Sequence, residues 1–140
     1  MKLSKKEIEE RMSKWAADWN SHDLEAVMDW FHDDIVFEHW TGAVVKGKEN
    51  LCETWKSWFE NHGDFFFREE LISVDEDNQR VIWQWSLEWP SPERGYVGKP
   101  ERRRGIDILW IRDGKVIRKN TYSKTTVEIG DTRIRLTPNR

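Results

Sequence analysis

The chain has 140 residues with 26 acidic and 23 basic side chains, a net charge of −3, and is 37% hydrophobic and 35% charged. That balance suits one compact domain spanning 1–140 and argues against a disordered or nucleic-acid-binding chain. No apolar run approaches the roughly 20 residues of a membrane span, and the start, MKLSKKEIEERMSKW, lacks a secretory apolar stretch. Cys52 is the one cysteine, which leaves neither a disulfide framework nor a cysteine metal site. A cytoplasmic location is expected.

Ser4 followed by Glu7 is a capping-box arrangement, and Leu3 with Ile8 forms a hydrophobic staple. Ile8, Met12, Trp15 and Trp19 then recur at helical spacing, so a first helix is expected to run to NSHD. Asp23 can cap a second, shorter helix whose apolar side is Leu24, Val27, Met28 and Phe31. DDIVFEHW, residues 33–40, reads as the first strand. Its alternation puts Ile35, Phe37 and His39 on one face and Val36, Glu38 and Trp40 on the other.

TGAVVKGKEN is a turn-rich connection into a third helix with Leu51, Trp55, Trp58 and Phe59 inward, closed by a left-handed cap at Gly63. The rest reads as sheet. FFFREELISV is one strand; RVIWQWSLEW is another, with Val81, Trp83, Trp85, Leu87 and Trp89 on one face. PSPERGYVGKP holds three prolines and two glycines in eleven residues, so a rim or lid loop is expected there. GIDILWIRDGKVIRKNTY is a β-hairpin turning at Asp113-Gly114. The tail TRIRLTPNR offers Ile134 and Leu136 but no clear placement. Helices first and a long antiparallel sheet afterwards make an α+β domain.

The hairpin register decides which polar residues meet. A three-residue loop with a bulged glycine sets Leu109 opposite Ile117 and Asp107 opposite Lys119; a two-residue loop sets Asp107 opposite Asn120. The first is preferred because it joins Leu109 and Ile117 on one apolar face. Asp107 and Lys119 then form either a structural ion pair or a polar patch converging on a ligand. His39 carries the same duality: a satisfied structural histidine, or an imidazole able to exchange a proton near neutral pH. His22, His32, His39 and His62 show no metal-ligand spacing. RRR at 102–104 reads as a solvated face without a wider basic stripe.

WNSHDLEAVMDWFHDDIVFEHWTGAVVKGKENLCETW resembles the front half of the NTF2-like superfamily, in its SnoaL-like and ketosteroid-isomerase-like branches. GIDILWIRDGKVIRKNTY resembles the closing hairpin of that family. The resemblance implies a cone: three N-terminal helices packed on a strongly curved, mixed and mostly antiparallel sheet around an internal pocket. It also implies a homodimer through the outer sheet face, which would present Ile82, Ile108 and Trp110 to the partner. The ketosteroid isomerases keep a base where this chain has His39, an oxyanion-donating tyrosine where it has Trp15, and a protonated aspartate where it has Asp107; they are a well-described case of such tuning. A cationic Lys119 beside Asp107 argues against a donating carboxyl, which leaves Lys119 or the Trp15 indole as electrophile.

The expected function is therefore a small-molecule-binding, cofactor-independent enzyme of isomerase, cyclase or dehydratase type acting on a largely apolar carbonyl ligand. His39, Asp107 and Lys119 are the candidate catalytic residues. Trp15, Phe37, Trp58, Trp83, Trp85 and Tyr122 are the candidate pocket lining. No metal, organic cofactor, nucleic acid or membrane partner is expected. The alternative on the same fold is a non-catalytic dimeric ligand-binding or scaffold module.

Overall fold

A computed structural model of the protein describes residues 1–136. The first helix comes in two pieces, α1 (Lys5–Met12) and α2 (Trp15–Asn20), where the periodicity suggests one. The capping box at Ser4 and Glu7 starts α1. The Ser13 hydroxyl donates to the Glu10 carbonyl and the Ser13 amide closes back on Glu9, so the backbone turns before Trp15. That break re-aims the second segment and buries both Trp15 and Trp19. Asp23 caps α3 (Leu24–Met28) through bonds from the amides of Glu25 and Ala26.

Strand β1 (Phe31–Glu38) begins two residues before the expected segment and ends before His39. The turn-rich connection holds a short strand, β2 (Val44–Lys46), antiparallel to β1. Helix α4 (Lys48–Asn61) buries Leu51 and Trp55, and Gly63 takes the left-handed conformation (φ 58°) just past its end.

The sheet continues with β3 (Phe66–Asp75), β4 (Arg80–Pro90), β5 (Pro100–Arg112) and β6 (Lys115–Ser123). Its order is β2-β1-β6-β5-β4-β3; β1 runs parallel to β6 and the other neighbours are antiparallel. The tail forms β7 (Thr126–Ile129) and β8 (Thr132–Arg135); β7 pairs with β5, and Ile134 lies opposite Val127. Residues 137–140 of that tail lie outside the described residues.

The strongly curved mixed sheet wraps its inner face around the helices as an α+β cone. Period-two alternation along β4 buries Val81, Trp83, Trp85, Leu87 and Trp89. Trp15 closes the narrow end, with ring centroids 5.2 Å from Trp30 and 5.9 Å from both Phe31 and Trp83.

Both sequence registers for the hairpin are corrected. The turn is the two-residue kind, with Asp113 (φ 51°) and Gly114 (φ 76°) both left-handed and Arg112 opposite Lys115. Between the pairs Ile111–Val116 and Trp110–Arg118, Ile117 is an extra residue, a β-bulge. The bulge advances the register by one, so Leu109 faces Lys119 and Asp107 faces Thr121. Without it, Arg118 and Asn120 would point inward; with it, Lys119 and Thr121 do.

Candidate functional site

The helices and the curved sheet leave a cavity of about 260 Å³. Trp19 from α2, Trp55 and Trp58 from α4, and Phe67, Trp83 and Trp85 from β3 and β4 supply apolar walls. Phe37 from β1 and Lys119, Thr121 and Asp107 from β6 and β5 line the sheet side. His39, Trp40 and Ala43 from the turn between β1 and β2, with Val45 from β2 and Thr54 from α4, complete it. His39, Asp107 and Lys119 thus border one space.

At the sheet, Lys119 Nζ donates to Thr121 Oγ1 (2.7 Å), and Thr121 Oγ1 donates to Asp107 Oδ1 (2.7 Å). The ammonium also lies 3.3 Å from Asp107 Oδ1. All three residues are buried. The ion pair is diagonal across the sheet rather than between opposite residues, because Lys119 sits two positions from Thr121 on the same face. Lys119 Nζ is ringed by Phe37 (4.7 Å to the ring centroid), Trp55 (5.6 Å) and Trp19 (5.7 Å). Burial pushes the Lys119 amine below its ordinary pKa, opposed by the attraction of Asp107.

His39 follows the last residue of β1. Its amide donates to the Ala43 carbonyl, and Gly42, with φ 88°, lets the chain turn back into β2. His39 Nδ1 lies 3.2 Å from Thr41 Oγ1. The Thr41 amide also donates to Nδ1 (3.4 Å); a tautomer with hydrogen on Nδ1 gives up that longer bond, donates to Thr41 Oγ1 instead and leaves the Nε2 lone pair free. Burial, followed by the charges of Lys119 and Arg103, lowers the His39 pKa to about 4. The imidazole is therefore neutral at neutral pH.

Two of the expected lining residues lie elsewhere. Trp15 is fully buried and does not line the cavity, so its indole N–H, which has no acceptor among the described residues, does not reach a ligand there. Tyr122 is half exposed, because the bulge that turns Thr121 inward turns Tyr122 out, opposite Ile106. Phe37, Trp58, Trp83 and Trp85 do line the cavity.

Three participants escape the sequence pattern. Thr121 depends on the bulge. Trp40 reaches the cavity because strand alternation stops at Glu38. Arg103, read as part of a solvated run, is buried. Its guanidinium stacks over Trp40 (4.9 Å) and Trp89 (5.2 Å) and bonds Glu101 (3.1 Å) and Glu93 (3.0 Å). Glu101 also accepts from the Trp89 indole and from Ser91 (3.0 Å). The loop 91–99, which carries Glu93, is thereby tied to the Trp40 wall. Inward parity with Glu101 on β5 was the one available signal for Arg103.

Among the described residues, no group of three or more His, Cys, Asp and Glu could hold a metal ion. No described helix is long and apolar enough to cross a membrane.

A cone of helices on a curved mixed sheet, opening into an internal apolar pocket, is the architecture of NTF2-like proteins. Within that class the chain belongs to the SnoaL-like domain family, whose model matches residues 12–119. It is similar in structure to SalBIII, an epoxide hydrolase/cyclase-like enzyme in pyran ring formation in the polyether salinomycin. That match has a TM-score of 0.76 at 14% identity, over 90% of this chain and 98% of the other. TerC, co-crystallised with polyporic acid, matches with a TM-score of 0.68 at 18% identity, over 83% and 90% of the two chains. An NTF2-like protein of unknown function from Exiguobacterium sp. 255-15 matches with a TM-score of 0.66 at 18% identity, over 81% and 97%. No curated protein matches the chain. At these identities the likeness concerns the fold.

Proposed function

We propose that the chain is a cofactor-independent enzyme that moves a proton next to a carbonyl group of a flat, largely apolar ligand, in an isomerisation, cyclisation or dehydration. The observation that carries this reading is that His39, Asp107 and Lys119 border one aromatic-walled cavity large enough for a small ligand. His39 takes the proton at Nε2. Lys119, oriented by Thr121 and Asp107, donates to the oxygen on which charge develops, inside an aromatic-walled site. Phe37, Trp58, Trp83 and Trp85 hold the ring system. A cyclase-like enzyme and a ligand-bound protein on the same fold support the reading by analogy.

The test is turnover of a library of apolar carbonyl compounds by wild type, His39→Ala and Asp107→Asn. Loss of about 100-fold or more in kcat for His39→Ala, with ligand still bound, is the outcome expected for a general base. Full activity in both variants on an identified substrate would overturn the assignment. Binding without turnover by any compound would leave the non-catalytic ligand-binding module. Because His39 titrates at about 4, its basic form persists through neutral pH, and activity should fall only as the pH drops toward 4.

The outer sheet face supports a homodimer in the same reading. Ile82 is exposed there, beside the half-buried Ile108 and Trp110. Trp110→Arg should shift sedimentation from dimer to monomer; a monomeric wild type would refute the assembly.

A further inference from the structure

We propose that Lys119 is a nucleophile that forms a Schiff base with its ligand, so that the substrates of this cavity are aldehydes and ketones open to imine formation. The proposal rests on the preceding reading of the cavity as a ligand site, and it changes Lys119 from a hydrogen-bond donor into a covalent participant.

Four observations support it. Lys119 supplies the one amine among the described residues that line the cavity, and its nitrogen sits on the sheet side rather than in solvent. Its proton has a route away: Nζ to Thr121 Oγ1 to Asp107 Oδ1, each step 2.7 Å. Burial disfavours the charged amine, which raises the fraction able to attack. The three rings around Nζ are as suited to a protonated imine as to an ammonium, and Asp107 remains as its counter-ion.

The neighbouring base gives a chemical reason. His39, neutral and weakly basic in its buried turn, is a poor match for the α-proton of an ordinary ketone. A protonated imine is a far stronger electron sink than a hydrogen-bonded carbonyl and acidifies the adjacent C–H bond. His39 then faces a proton within its range.

The covalent step balances without any oxidant or reductant. The Nζ lone pair forms a bond to the carbonyl carbon while the C=O π pair moves to oxygen, giving a carbinolamine. Counted from the ammonium paired with Asp107, nitrogen releases two of its three protons over the sequence, the oxygen gains those two and leaves as water, and the C=N bond closes with one proton still on nitrogen and Asp107 again ionised. Asp107 and Thr121 relay the protons at nitrogen. After proton transfer at carbon, addition of water returns the amine and the carbonyl product.

The experiment incubates the wild-type protein with limiting naphthaldehyde and cyanoborohydride at neutral pH, then maps the modified peptides by mass spectrometry. The expected result is one reduced adduct, on Lys119, formed ahead of any surface lysine or the N-terminus and absent in Lys119→Arg. The wild-type map stands on its own if that variant fails to fold. A parallel titration with naphthylmethanol, which has no carbonyl, reads cavity occupancy through quenching of tryptophan fluorescence. Quenching by the alcohol together with adducts confined to surface amines would overturn the Schiff base and leave the ligand site standing. No quenching by the alcohol and no Lys119 adduct would overturn both.

Discussion

Lys119 and Asp107 are two charges taken out of water, and each is tolerable because the other is there. Removing two ions from solvent costs several kcal/mol apiece, and a mutual distance of 3.3 Å with Thr121 between them offsets much of that. Lys119→Met alone strands the carboxylate and should destabilise the fold by about 3–5 kcal/mol, read from urea unfolding midpoints. The double variant Asp107→Leu/Lys119→Met should recover most of that loss while abolishing any chemistry at the site. If the single variant were as stable as wild type, Lys119 and Asp107 would not form a buried ion pair. Alternation along DDIVFEHW points to His39, and alternation along β5 puts Asp107 on the face of Leu109. The inward turn of Lys119 and Thr121 is not legible, because a bulge at Ile117 leaves no mark in a run of alternating residues.

At the scale of elements, the β6 backbone and the Trp85 ring close on β5 at Gly105 so tightly that no side chain fits there. A Cβ at that position would lie 2.3 Å from the Tyr122 carbonyl oxygen and 2.5 Å from the Trp85 ring. Trp85 is a wall of the cavity, so its placement depends on a glycine one strand away. Gly105→Ala should cost about 1–3 kcal/mol through overpacking and should also weaken ligand quenching as Trp85 shifts. Thermal unfolding and a fluorescence titration measure the two effects, and an unchanged quenching curve would mean that Trp85 had not moved. Arg103 is the converse case. In RRR it looks like a surface cation, yet β5 alternation puts it inside, where two carboxylates and two indole faces satisfy it. Helix periodicity likewise identifies the buried side of α1 and α2 but not the turn between them.

For the molecule as a whole, two histidines set an acid limit. Above pH 6.5 the His39 imidazole is neutral whether folded or unfolded. Below 6.5 the unfolded chain takes up a proton that the folded protein refuses until about pH 4. Stability is therefore lost as pH falls from 6.5 toward 4, and His62, lowered by burial against Trp58 and Trp89, acts in the same direction. His39→Gln should flatten the fall in unfolding free energy over that window. An unchanged slope would show that His39 is not the group being titrated.

The sequence by itself determined the α+β class, the buried faces of the helices and of β4, and the family resemblance, because periodicity and caps are local properties of the chain. It also put His39 on the side of Phe37, and the turn that follows β1 does bring it to the cavity. Tertiary structure alone decided which residues meet across the sheet. A bulge of one residue turned Lys119 and Thr121 inward and Tyr122 outward, and the break between α1 and α2 buried Trp15 away from the cavity. Those outcomes depend on the relative position of segments far apart in the chain, and a one-residue shift in register exchanges the two faces of a strand.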